Sequence, residues 1–122
     1  MLPIPFLLGM AVLVTACGGG SAAKGVPSQL DAVVQAARAD AAQRSGVAPA
    51  DLTLILAASV TWADGSLGCP RPGLLYTQAL VPGYRMKLTV GNEVLDYHAG
   101  ERGGLILCPP GQSQEPVADS RI

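Results

Sequence analysis

The side chains that could do chemistry are few. The chain holds a single histidine, so any imidazole base is His98, and the hydroxyl it would serve is that of Ser66. Asp96 lies two positions before the histidine and would share its face of a strand, but side chains at that spacing stand about 7 Å apart and orient one another poorly. The segment Asp64-Gly65-Ser66-Leu67-Gly68 also departs from the nucleophile-elbow pattern, which requires glycine two positions before the serine. A surface histidine beside Arg85 and a solvated cross-strand pair of Lys87 with Asp96 are therefore the expectation, the pair contributing under about 1 kcal/mol. No catalytic residue is assigned. One histidine and a few scattered cysteines fall short of a zinc set, so neither a metal nor a cofactor is expected. The candidates for binding are Trp62, Asp64, Arg71, Leu74 and Tyr76, in and around a stretch rich in glycine and proline. Trp62 and Tyr76 could line a groove, although rings in so aromatic-poor a chain more often belong to a core.

The first sixteen residues carry no charge, and Ile4–Val14 is an apolar run too short for the roughly 18–20 residues of a spanning helix but suited to the core of a signal peptide. It ends in Val14-Thr15-Ala16-Cys17, which resembles the lipobox of bacterial lipoproteins: an aliphatic residue, two small residues and the cysteine that becomes the lipidated N-terminus. The resemblance implies a diacylglyceryl group on Cys17 and a membrane anchor of two or three acyl chains, enough for stable attachment. The segment Met1-Leu2-Pro3-Ile4-Pro5 lacks the positive charge usual at the start of an export signal. The alternative is an ordinary secretory peptide with an incidental cysteine.

On the lipoprotein reading, residues 1–16 are the signal peptide, 17–26 a small-residue tether with about 15–18 Å of slack, 27–110 one domain, and 111–122 a loose tail. Cys69 and Cys108 are then left together in a compartment outside the cytoplasm, where disulfides persist. A bond between them would contribute roughly 3–4 kcal/mol by closing a long loop, a large share of the stability of so small a domain.

The elements that must position these groups are legible from periodicity. Ser28, with Asp31 three residues on, starts a helix whose stripe is Leu30, Val33, Val34, Ala37 and Ala41 and which stops at Gly46. Leu52–Trp62 reads as a buried strand. Gly91-Asn92 is a two-residue hairpin turn that sets Val90 opposite Glu93, Leu88 opposite Leu95 and Met86 opposite Tyr97. That register gathers Tyr84, Met86, Leu88, Leu95 and Tyr97 on one face and leaves Arg85, Lys87, Asp96 and His98 on a largely polar one. Leu105–Cys108 is a last strand, stopped by Pro109-Pro110. The expected class is α+β: one N-terminal amphipathic helix packed on a small antiparallel, disulfide-braced sheet.

The run Trp62-x-Asp64-Gly65-Ser66-Leu67-Gly68-Cys69-Pro70-x-Pro72-Gly73, followed by Tyr76-Thr77-Gln78, Pro82-Gly83-Tyr84-Arg85, Tyr97-His98 and Leu107-Cys108, is similar to a family of small uncharacterised bacterial exported proteins and lipoproteins. The resemblance implies export and brings no activity with it.

Charge excludes one class of partner: 8 Lys+Arg against 9 Asp+Glu, a net charge of −1, cannot neutralise a nucleic-acid backbone. The leading expectation is a non-catalytic module of the bacterial envelope, held to the membrane by its lipid and meeting an envelope protein or wall component through the stiff loop. The alternatives are a peptidase inhibitor presenting Cys69–Pro72 as a substrate-like strand, a small hydrolase using Ser66 and His98, and an accessory domain of a larger envelope assembly.

Overall fold

The computed structural model describes residues 28–119; Cys17, the signal segment and the tether lie outside the described residues. Helix α1 (Gln29–Ser45) is followed by a 3₁₀ turn at Pro49–Asp51 and by strands β1 (Thr53–Trp62), β2 (Val81–Val90), β3 (Glu93–Gly100), β4 (Gly103–Cys108) and β5 (Ala118–Asp119). The sheet is an antiparallel meander in the order β4-β3-β2-β1, with the two-residue β5 added beyond β1. The α+β class expected from the sequence is the observed one.

Helix α1 begins with a reciprocal cap: the Ser28 hydroxyl accepts from the Asp31 N–H at 3.1 Å, and the Asp31 carboxylate accepts from the Ser28 N–H at 3.2 Å. It ends at Gly46, left-handed at φ 68°, whose N–H donates to the Ala42 carbonyl. Ala37 and Ala41 are fully buried, and side chains this small let the helix lie close on the sheet. There it covers Tyr84, Met86, Leu88, Leu95, Tyr97 and Ala99. These include all five residues the hairpin register assigns to the core face, and the observed pairing is that register, Val90 with Glu93 through Arg85 with His98.

Two expectations about the sheet are corrected. β1 is buried only toward its C-terminal end: a bulge between Leu54 and Leu56 turns Ile55 outward, 53% exposed. The second face of the sheet, expected to be polar and solvated, carries a core of its own in Ala58, Val60, Trp62 and Leu67, with Leu56, Val81 and Ile106 packed against it. Residues 63–69 fold back over that face, and the Cys69–Cys108 disulfide, with Cα atoms 5.7 Å apart, fastens them to the last residue of β4. The segment after Pro110, expected to be loose, then crosses the same face. The Gln114 N–H donates to the Gly68 carbonyl, the Val117 N–H donates to the Thr61 carbonyl, and β5 pairs with β1 at Val60 and Thr61. The chain therefore forms three layers: helix, sheet, and a covering of loop and tail.

Candidate functional site

Trp62, the last residue of β1, is fully buried at the centre of the second face. Its indole N–H donates across β2 to the Ala99 carbonyl of β3 at 3.1 Å. That reach requires Gly83 beneath it, because a Cβ there would stand 2.0 Å from the Ala99 oxygen and 2.8 Å from the indole nitrogen. On its other side Gly68, left-handed at φ 71°, leaves no atom where a Cβ would stand 2.4 Å from the six-membered ring. Trp62 is thus a core residue and offers no surface to a ligand.

His98 is also fully buried, not at the surface. Its ring stacks on Trp62, and its Nδ1 lies 2.6 Å from the Leu67 carbonyl, which can only accept, so Nδ1 carries a proton. Its Nε2 lies 3.1 Å from both the Ser113 hydroxyl and an Asp96 carboxylate oxygen. Asp96 is gripped in two-pronged fashion by Arg85, Nε to Oδ1 at 3.2 Å and Nη2 to Oδ2 at 3.0 Å, and the Arg85 Nη1 donates to Glu115. The expected partner of Asp96, Lys87, sits opposite it in the ladder, but the ion pair forms diagonally with Arg85 because Arg85 lies under the tail, whose Ser113 and Glu115 supply it with further acceptors. Burial pushes the Asp96 carboxyl up, but hydrogen bonds from His98, Arg85 and Ser113 outweigh it and hold the group well below the usual carboxylate range. Among the described residues, no buried side-chain nitrogen or oxygen lacks a partner.

This cluster has the composition of a catalytic triad without its geometry. A triad places the carboxylate on one ring nitrogen and the serine on the other. Here Asp96 and Ser113 share Nε2, and the Ser113 hydroxyl donates to Asp96 at 2.7 Å. Ser66 is no better placed as a nucleophile: it is 2% exposed, and its hydroxyl donates to Asp64, not to His98. The same hydroxyl, together with the Ser66 N–H, holds the Asp64 carboxyl below its ordinary range. The hydrolase pair is not assembled. Among the described residues no group of three or more His, Cys, Asp or Glu side chains is arranged to hold a metal.

The motif from Trp62 to Cys69 therefore works as a buried plug, and its exposed continuation is residues 70–80. Arg71 and Leu74 lie exposed there, with Tyr76 half-buried beneath them. The loop is cross-tied: the Gly65 N–H donates to the Thr77 carbonyl at 2.9 Å, the Arg71 N–H to the Tyr76 hydroxyl at 3.0 Å, and the Leu74 N–H to the Arg71 carbonyl at 3.3 Å. Arg71 thus has both backbone groups engaged in a local turn. An inhibitor that pairs as a substrate strand needs those groups free, and at Arg71 both are engaged.

Of the five sequence candidates, Arg71, Leu74 and Tyr76 share this loop, whereas Trp62 and Asp64 build the plug below it. The sequence reading did not single out Leu75, fully exposed, or Leu80, 65% exposed, which stand with Leu74 on the same loop. The signal was present: no charged residue occurs between Arg71 and Arg85. At the base of the loop lies a cleft of about 400 Å³ whose lining includes Leu67, Val81, Pro82, Glu101 and Arg102.

Fold and site together define a small three-layer α+β domain whose second core is closed by a disulfide-fastened plug. The chain belongs to the family described as Domain of unknown function (DUF8738), whose model matches residues 34–108, more than half of the chain. No curated protein and no solved structure matches it.

Proposed function

We propose that the protein is a lipid-anchored, non-catalytic binding module of the bacterial cell envelope, with residues 70–80 as its contact surface. The anchor rests on Val14-Thr15-Ala16-Cys17 and the apolar run before it. The contact surface rests on one observation: the polar groups of the plug are consumed inside the fold, while the loop that grows from it is tied at Thr77 and Tyr76 and still exposes Leu74, Leu75 and Leu80. A loop already ordered loses little entropy on binding, and exposed leucines on so rigid a frame are characteristic of a contact surface.

Intact mass of the membrane-extracted protein tests the anchor. The expected product begins at Cys17 and carries a diacylglyceryl group; a soluble, unmodified terminus refutes it. A photoreactive side chain at position 74 tests the surface: adducts in intact cells are expected there in excess over position 50, and equal labelling removes the loop as the contact.

A further inference from the structure

We propose that the loop bearing Leu74, Leu75 and Leu80 inserts into the lipid surface itself, giving the domain a second membrane contact that fixes its orientation. This deepens the proposed function and rests on its lipid-anchor reading. The argument is one of position. β1 ends at Trp62, β2 begins at Val81, β3 ends at Gly100 and β4 begins at Gly103, so the loop and the β3–β4 turn share one end of the sheet. The helix begins at that same end, where the Gln29 side chain donates to the Glu101 carbonyl of the turn at 3.4 Å. The chain between Cys17 and Ser28 reaches at most about 35–40 Å even when fully extended. As a small-residue coil the same segment spans only about 17–20 Å, less than the roughly 25 Å length of the 17-residue helix, so an acylated Cys17 keeps this end nearer the bilayer than the far end at Pro49–Asp51.

The chemistry of the loop suits that neighbour. Leu75 is fully exposed, Leu74 55% and Leu80 65%, with no charge between Arg71 and Arg85 to oppose entry into the acyl boundary. The disulfide and the Gly65–Thr77 bond hold the loop in place beforehand. Charges at this end are mixed, Asp31, Asp64 and Glu101 against Arg71 and Arg102, so apolar insertion and not headgroup charge is the attraction. Zwitterionic and anionic surfaces should serve alike.

The test uses the processed, membrane-extracted protein, checked for acylation by intact mass and reconstituted into phosphatidylcholine vesicles with and without phosphatidylglycerol. Tryptophan is placed at the fully exposed loop position (Leu75→Trp) or at the far end (Ala50→Trp), and the buried Trp62 signal is subtracted using wild type. Lipids brominated on their acyl chains are expected to quench the tryptophan at 75 several-fold more than that at 50 in both compositions. Equal quenching in an acylated protein overturns insertion and leaves the anchor standing. An unacylated terminus removes the anchor reading, and the same comparison still decides the loop: excess quenching at 75 upholds insertion, and its absence overturns it. Silence at 75 in pure lipid combined with protection from iodide in whole envelope fractions overturns the lipid occupant in favour of a protein.

Discussion

The indole of Trp62 lies flat on the imidazole of His98, ring centroids 4.4 Å apart and planes 20° from parallel, and both rings are fully buried. The two strands they come from are not neighbours; β2 runs between them, and only a glycine at position 83 leaves room for the tryptophan to cross it. Gly83→Ala is therefore expected to destabilise by about 3 kcal/mol or more, although alanine in a strand ordinarily improves on glycine, because the added methyl meets a backbone oxygen and a ring, neither of which can move aside. Urea unfolding followed by the fluorescence of the single tryptophan checks this. A midpoint equal to wild type would show that the tryptophan does not cross over residue 83.

Asp96 gives the fold an acid limb. Despite burial, which acts the other way, hydrogen bonds from His98, Arg85 and Ser113 lower its pKa on folding, and Arg85 lowers that of Glu115. A carboxyl depressed in the folded state contributes stability that is complete above its unfolded value of about 4 and is lost as pH falls through the folded value. Wild type should thus lose stability progressively below about pH 5. Asp96→Asn should have a shallower acid limb and be less stable at pH 7 by about 3 kcal/mol, since Arg85, whose side chain is 6% exposed, loses its two-pronged partner. Urea midpoints from pH 3 to 7 decide it; parallel curves for the two proteins would remove Asp96 from the acid response.

What could be seen in the sequence and what could not divides along physical lines. The helix cap at Ser28, the Gly91-Asn92 turn and the pairing of Leu88 with Leu95 are local or two-fold patterns, and each is where its residues imply. The binary pattern failed at Arg85 and His98, because it assigns polar side chains to water and has no means of seeing that Ser113 and Glu115, some thirty and fifteen residues away in the chain, return to pair with them. The tail looked loose for the same reason: its composition is polar, but its partners are buried groups on β2 and β3. Of the site, Arg71, Leu74 and Tyr76 were legible from the stiff loop, while Leu75 and Leu80 required knowing that no layer covers them.

The Cys69–Cys108 bond closes a separation of 39 residues. Replacing both cysteines with serine is expected to cost about 3–4 kcal/mol in the chain-entropy view. The loss should also have an address. Amides at Gly65 and Arg71, which hold the loop to Thr77 and Tyr76, should exchange with solvent much faster, while those of the β2–β3 ladder retain most of their protection. Hydrogen exchange that rises evenly over both regions would mean that the bond steadies the whole domain and not the plug.

Across the other face, the Tyr97 hydroxyl donates to the Asp40 carboxylate at 2.6 Å, tying the sheet to the helix. Burial, reinforced by Asp40, pushes the tyrosine hydroxyl above its ordinary range, and the bond from Tyr97 holds Asp40 below its own. Arg44 reaches the same carboxylate oxygen from one turn along the helix, but its side chain is 57% exposed. The two partners of Asp40 should therefore differ in weight. Tyr97→Phe keeps the ring in the core and is expected to cost about 1–2 kcal/mol by leaving the carboxylate short of a donor, whereas Arg44→Ala breaks a solvated pair and should cost under about 1 kcal/mol, less still in high salt. Thermal and urea unfolding of the two variants at low and high salt check the order; an Arg44 effect larger than that of Tyr97 would place the helix–sheet tie in surface charge instead of the buried hydroxyl.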